Sequence, residues 1–334
     1  MPLNDRANHN AIGVDVGTSR VSIAQRLADT FNYETQLNAF VTVPFSSITE
    51  GVLKKENVPH TVSGSEILVH GNESGRIADL LNVDTRRTMD KGLLNPAEPG
   101  SLDMLGKIIE SLVPPTEERR KLYFTVPAAP IGAQDNLTYH EATLRQVFVD
   151  LGYRVKSVNE GLAVIYSELE DSNYTGIGIS CGGGLCNVCV AYLSVPVMSF
   201  SIPKAGDYID SSAATITGER ANRVRISKED TFHFNGFFAN QLEQVLTVYY
   251  DEMIQSLVQG IKQALASSRN LPKSSRPLPI VLSGGTALPE GFRERFEKIW
   301  REAEVPLATT EIRMAADPVH ASAKGALIAA LAED

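Results

Sequence analysis

The sequence predicts an α/β protein of two lobes with a cleft between them, and three observations lead there. The chain has 334 residues, more than one hydrophobic core usually organises, so two lobes of ordinary size are expected. From residue 121 onward, apolar runs of strand length alternate with stretches of helical periodicity, the order of an α/β architecture. Two stretches, residues 11–24 (AIGVDVGTSRVSIA) and 176–190 (GIGISCGGGLCNVCV), each place a glycine turn between two β-branched apolar runs. One lies near the start of each expected lobe, which suggests two similar units facing one ligand.

The elements follow in order. After the first hairpin, residues 40–120 are the most irregular part: short strands such as 66–70 (EILVH), polar loops, and the helical run 103–113 (DMLGKIIESLV), stopped by Pro114 and Pro115. This reads as an insertion carried by the first lobe. Residues 121–127 (KLYFTVP) return to strand, 133–151 have helical periodicity ending at Gly152, 153–158 (YRVKSV) form a strand and 159–169 (NEGLAVIYSEL) a helix. Beyond the second hairpin come residues 203–210 (PKAGDYID) and a basic stretch to Glu229. The clearest helix is 239–267, where Leu242, Val245, Leu246, Tyr249, Met253, Leu257, Ile261 and Leu265 recur at three- and four-residue intervals, a stripe read as core rather than as a cofactor surface. Residues 279–286 (PIVLSGGT) give a last strand with a third glycine turn that would close a site from the side, and 319–332 a terminal helix. The expected domains are a first lobe over 1–157 with its inserted subdomain at about 40–120, and a second lobe over 158–317. The terminal segment 318–334 is expected to pack back on the first lobe.

Composition narrows the function classes. A formal net charge of −9 opposes a phosphate-backbone partner, so nucleic acid is not the expected ligand. The opening residues 1–10 lack the apolar core of a signal peptide, and the longest apolar stretch, 188–200, is broken by Ser194 and Pro196 and is too short to span a bilayer. No transmembrane segment and a cytoplasmic location are expected. The three cysteines, Cys181, Cys186 and Cys189, have the C-x4-C-x2-C spacing of an iron–sulfur site. A strand beginning at Leu185 sends Cys186 and Cys189 to opposite faces, with Cys181 beyond the turn, and the six histidines are scattered without ligand spacing. Buried core thiols are the favoured reading.

The glycine turns are suited to anions, because main-chain N–H groups can close on a ligand without interference from a Cβ. Their order along the chain resembles the actin superfamily of nucleotide-binding proteins. Residues 13–20 (GVDVGTSR) look like its first phosphate motif, 178–190 (GISCGGGLCNVCV) like its second, and 280–292 (IVLSGGTALPEGF) like its adenosine motif. Residues 159–166 (NEGLAVIY) and 317–327 (DPVHASAKGAL) resemble its two connecting helices. Residues 204–210 (KAGDYID), 86–94 (RRTMDKGLL) and 125–128 (TVPA) look most like MreB and MamK, and 220–229 (RANRVRISKE) is similar to the segment bordering the adenine in those filaments.

The resemblance implies an actin-like, ribonuclease H-like fold with ATP or ADP and Mg2+ in the interlobe cleft. Asp15 then sits where a carboxylate holds the metal through water, and Gly17, Thr18 and Ser19 wrap the terminal phosphates. Glu160 matches the position that orients the attacking water. The second lobe contributes Gly182, Gly183 and Gly184, with Ser180 at the metal side. Gly206, Gly284 and Gly285 approach the nucleotide with backbone, and Lys228 and Glu229 flank base or ribose. Bland alternatives stand beside these roles: Asp15 as a turn cap, Glu160 as a carboxylate stabilised by a helix N-terminus, and Lys228 with Glu229 as a solvated pair.

Two departures matter. Where the family has Asp-x-Gly-Gly-Gly-Thr-Thr, this chain has Ser180, Cys181, three glycines, Leu185 and Cys186. A carboxylate and two hydroxyls are gone. Only about twenty residues separate the 206–210 region from Glu229, and the long helix starts soon after, so the outer subdomain of the second lobe is expected to be reduced. The function expected is an actin-like protein of bacterial filament type, forming homo-oligomers or filaments under nucleotide control, with slow hydrolysis if any. The alternative is an actin-fold scaffold or adaptor that binds a protein partner without nucleotide turnover. A sugar or small-acid kinase is disfavoured because no polar cluster after the first motif suggests a substrate domain.

Overall fold

The computed structural model describes residues 11–131, 137–267 and 277–333. Two five-stranded sheets organise it, each with its own covering layers. In the first, β1 (Ala11–Val16), β2 (Arg20–Leu27) and β3 (Thr30–Leu37) form an antiparallel meander. The chain then builds an outer layer from β4 (Ala39–Pro44), α1 (Ser47–Lys55), β5 (His60–Ser63), β6 (Glu66–His70), α2 (Asn72–Leu81) and β7 (Arg86–Arg87), the strands pairing in the order β5-β6-β4-β7. A short ribbon of β8 (Met89–Asp90) and β9 (Leu93–Leu94) and helix α3 (Ser101–Leu112) lead back to β10 (Lys121–Val126), which lies parallel to β1. Helix α4 (Leu137–Asp150) and β11 (Arg154–Asn159) complete this sheet. Residues 133–136 of the expected helix, and the expectations resting on residues 1–10, lie outside the described residues.

Helix α5 (Glu160–Glu168) carries the chain to the second sheet. There β12 (Gly176–Cys181), β13 (Cys186–Tyr192) and β14 (Val195–Ile202) again form an antiparallel meander. Helices α6 (Gly206–Thr217), α7 (Ala221–Asp230) and α8 (Gln241–Ser267) follow. The sheet is completed by β15 (Leu278–Ser283), parallel to β12, then by a 3-10 turn at Gly285–Ala287, helix α9 (Phe292–Glu302) and β16 (Thr309–Met314), parallel to β15. Helix α10 (Ala321–Ala332) ends the described chain. The strand orders β3-β2-β1-β10-β11 and β14-β13-β12-β15-β16 are the same topology twice.

Local chemistry accounts for the boundaries. Ser46 caps α1 by accepting from Thr49 N at 3.0 Å, and Asn159 caps α5 by accepting from Leu162 N at 3.1 Å. Every residue of β12 and of β15 is buried, because helices cover both faces of the second sheet, which is why these strands read as continuous apolar runs. On α8 the buried stripe is centred on Leu246, Tyr250, Met253, Leu257, Ile261 and Leu265; Tyr250 is the deeply buried tyrosine and Tyr249 flanks it.

The two sheets are joined by crossing helices. Helix α5 leaves the last strand of the first sheet and packs on β12 and β13, while α10 leaves the second sheet and packs on β1 and β10. Both approaches need a bare backbone. A Cβ at Gly13 would overlap the Ala323 carbonyl, and one at Gly178 the Gly161 carbonyl. Gly13 stands two residues before Asp15 and Gly178 two before Ser180, so the duplication extends to the contact that seats each helix.

The cysteines behave partly as expected. Cys186 packs in the core under α8, with its sulfur 3.8 Å from Met253 Sδ, and Cys189 faces α5 on the other side of the sheet. Cys181 does not diverge from Cys186: the four-residue turn at 182–185 makes the two direct cross-strand neighbours. All three are free thiols, and among the described residues no group of three His, Cys, Asp or Glu side chains can hold a metal ion. Among the described residues, no helix is long and apolar enough to cross a membrane.

Candidate functional site

The cleft-facing ends of the two hairpins meet. The turn after β1 is closed by Gly17 N donating to Arg20 O at 2.9 Å, and the turn after β12 by Gly182 N donating to Leu185 O at 2.9 Å. The same bond therefore closes the same four-residue turn in each lobe. Asn38 and Arg87 hold the first turn, donating to Gly17 O at 2.8 Å and Thr18 O at 3.1 Å. The second is tied down by α6 and the 3-10 turn: Gly182 O accepts from Gly206 N at 3.1 Å and Thr286 Oγ1 at 2.8 Å, and Gly183 O accepts from Asp207 N at 2.8 Å. Gly284, between β15 and the 3-10 turn, has φ 90° and would overlap the Cys181 carbonyl if it carried a Cβ, so this turn admits only glycine.

These elements enclose a cavity of about 90 Å3. Its walls contain every residue that the sequence nominated: Asp15, Gly17, Thr18, Ser19, Glu160, Ser180, Gly182, Gly183, Gly184, Gly206, Lys228, Glu229, Gly284 and Gly285.

The electrostatics discriminate between readings of individual residues. Asp15 accepts from the Thr125 hydroxyl, and burial raises its pKa above the usual carboxylate value. Glu160, the first residue of α5, accepts from Ser180 Oγ and from Asn187 Nδ2, both at 2.7 Å. Burial, then repulsion by Asp15, push its pKa up to about 8 despite the Ser180 hydrogen bond. A helix N-terminus would lower it, so burial and the neighbouring acid outweigh the dipole here. Ser180 is thus a donor to Glu160, not only a site for a water.

Lys228 is buried, with Nζ 2.7 Å from Asp210 Oδ1 and 3.3 Å from Gly206 O. Glu229 takes Arg20 Nη2 at 2.6 Å and Arg225 Nη1 at 3.5 Å. Neither residue is part of a solvated surface pair.

Sequence reasoning missed Asn187, Arg20, Arg225 and Asp210, which share the same walls. Asn187 had a signal: it is the cross-strand partner of Ser180, and both are polar residues on otherwise apolar strands. Arg20, Arg225 and Asp210 end or lie within the stretches 13–20, 220–229 and 204–210 that the resemblance singled out, but their residue types gave no signal of their own, because charged residues in a turn or on a helix usually face solvent.

The arrangement offers backbone and hydroxyl groups for an anionic ligand, flanked by two buried carboxylates that repel one another. The fold is actin-like. The solved structure of a MamK double helical filament superposes with a TM-score of 0.71 at 17% identity, covering 97% of this chain and 99% of that one. MreB 5 of Spiroplasma citri bound to AMPPNP superposes with a TM-score of 0.65 at 14% identity, covering 94% of each chain. The ethanolamine utilization protein EutJ from Carboxydothermus hydrogenoformans gives 0.54 at 16% identity, covering 95% of this chain and 88% of that one. A search of curated protein sequences returns no match. The Volactin family model matches residues 10–330, a span containing both sheets, helix α5, all but the last two residues of α10 and all three glycine turns, and the chain belongs to that family.

Proposed function

We propose that this chain binds ATP or ADP in the interlobe cleft and that occupancy controls its head-to-tail assembly into filaments. The observation that carries the reading is the convergence of three glycine turns, drawn from two duplicated sheets, on one cavity holding the Asp15–Glu160 pair. The turns at 17–19 and 182–184 hold the phosphates, Gly206, Gly284 and Gly285 admit the nucleoside, and Lys228 and Glu229 border it. A MamK structure similar in fold is described as a filament, and a similar MreB as bound to AMPPNP.

A divalent cation fits the residues present. Two mutually repelling buried carboxylates, one driven to about pKa 8 and the other helped only weakly by His320, are an acid pair that a cation would relieve. Mg2+ keeps most of its waters and relies on ligand phosphates, so it would need few protein ligands here. Asp15 would hold the ion through water, and the ion supplies positive charge against the phosphates. Glu160 orients water only as the carboxylate, so without that charge it stays protonated at neutral pH and hydrolysis is slow.

One observation favours a second reading, an adaptor that binds a protein partner without turnover: Ser180, where the related motif has aspartate, spends its hydroxyl on Glu160. Thermal unfolding with millimolar ATP or ADP, with and without Mg2+, separates the two. The proposed function expects a Tm rise and nucleotide-dependent pelleting at micromolar protein. Gly183→Val should abolish the Tm rise, since a Cβ there overlaps Ser19 Oγ across the cleft. A flat Tm and a strictly monomeric protein would leave the adaptor.

A further inference from the structure

Arg20 is the fourth residue of the first glycine turn, yet its guanidinium lies against the second lobe. Nη2 is 2.6 Å from Glu229 Oε2, and Nη1 would be 3.6 Å from a Cβ built on Gly285, so the group rests over the third glycine turn. Glu229 and Gly285 are the residues to which the proposed function assigns the nucleoside. The cation therefore stands on the ground that a nucleoside would take. The cavity it lines is about 90 Å3, well short of the roughly 300–1,000 Å3 of ordinary small-molecule pockets.

We propose that Arg20 is a resident competitor for the nucleoside end of the cleft, which the ligand must displace and which makes the site select phosphate-bearing nucleotides over free nucleosides. The inference rests on the nucleotide reading above. Three features carry it. The pair is part-exposed, with Arg20 and Glu229 side chains at 35% and 28%, so it can be broken at modest cost. Arg225, nearly buried and 3.5 Å from Glu229 Oε1, keeps the acid in place when Arg20 leaves. Arg20 is anchored in the turn that wraps the phosphates, so a displaced guanidinium is held within reach of the phosphate tail and recovers an anionic partner there. A nucleoside without phosphates breaks the Arg20–Glu229 pair and returns nothing for it.

The test compares adenosine and guanosine with their 5′-triphosphates, by calorimetry on the full chain and on Arg20→Ala. In the variant the nucleoside should bind about fivefold tighter, the weight of one part-exposed ion pair, while the triphosphate binds no tighter. The triphosphate-to-nucleoside preference then collapses by roughly fivefold or more. A second measurement needs no variant: raising salt should improve nucleoside binding to the wild type, because it weakens the Arg20–Glu229 pair, and leave Arg20→Ala unchanged. If triphosphates bind the wild type but the preference is the same in Arg20→Ala, the competitor role is overturned and the nucleotide reading survives. If no nucleotide binds either protein, the nucleotide reading fails, and this inference with it.

Discussion

The two hairpins are copies in backbone and opposites in chemistry. Each ends in a four-residue turn closed by the same hydrogen bond, and each is seated on a crossing helix through a glycine two residues before the cleft position. At that position the first lobe offers the Asp15 carboxylate and the second the Ser180 hydroxyl. The fourth residue of each turn crosses to the opposite lobe, but Arg20 goes to an ion pair with Glu229, whereas Leu185 packs against Gly92. Duplicated topology thus constrains where the backbone goes and leaves the charge free to move. Glu160 enters beside residue 180 from the connecting helix and takes the Ser180 hydroxyl as its donor.

The comparison can be broken at its backbone. Gly13→Ala and Gly178→Ala each drive a Cβ into a helix carbonyl that has no side-chain freedom to yield. Each should cost about 3 kcal/mol, at the upper end of overpacking penalties, and chemical denaturation should find the two losses alike. A loss at only one site would mean that the duplicated helix seats are not equivalent.

Its chemical half is sharpened by Ser180→Asp. The substitution removes the donor to Glu160 and adds a third acid beside Asp15 and Glu160, so without divalent cation the protein should lose roughly 2 kcal/mol. Millimolar Mg2+ should shrink that loss, because a cation offsets the added charge. Equal destabilisation with and without Mg2+ would argue that no cation sits between the lobes.

A smaller difference between the lobes concerns acid. His140 on α4 is buried under β9, where Nδ1 accepts from Leu94 N at 3.3 Å, and burial, opposed weakly by Glu141, lowers its pKa to about 4. The unfolded chain takes up that proton near the ordinary value of about 6.5, so stability is lost as pH falls from there through about 4. At pH 5 the loss should be about 1–2 kcal/mol. In His140→Gln, which keeps an acceptor, the loss of unfolding free energy between pH 7 and pH 5, read by chemical denaturation, should be smaller by that amount. An unchanged pH profile would remove His140 from the acid response.

Much of this was legible in the residues. Strand and helix order followed from apolar periodicity, which reflects one-dimensional burial and survives without knowledge of partners. The glycine turns were legible because close backbone approach excludes every other residue type, and all the nominated residues line one cavity. The cross-strand pairing of Ser180 with Asn187 was within reach, since a four-residue turn sets the register.

What the sequence determined by itself is the repeated topology and the identity of the cleft-lining turns, because both depend on local backbone requirements. Only the tertiary structure decided where the charges act. Glu160 could be read as a helix-end carboxylate until β12 and β13 surrounded it with Ser180, Asn187 and the field of Asp15. Lys228 and Glu229 could be a surface pair until α7 folded against the cleft and turned one toward Asp210 and the other toward Arg20. Protonation and pairing are set by the distance to groups far away in the chain, Arg20 and Glu229 being 209 residues apart, and no local pattern encodes that distance.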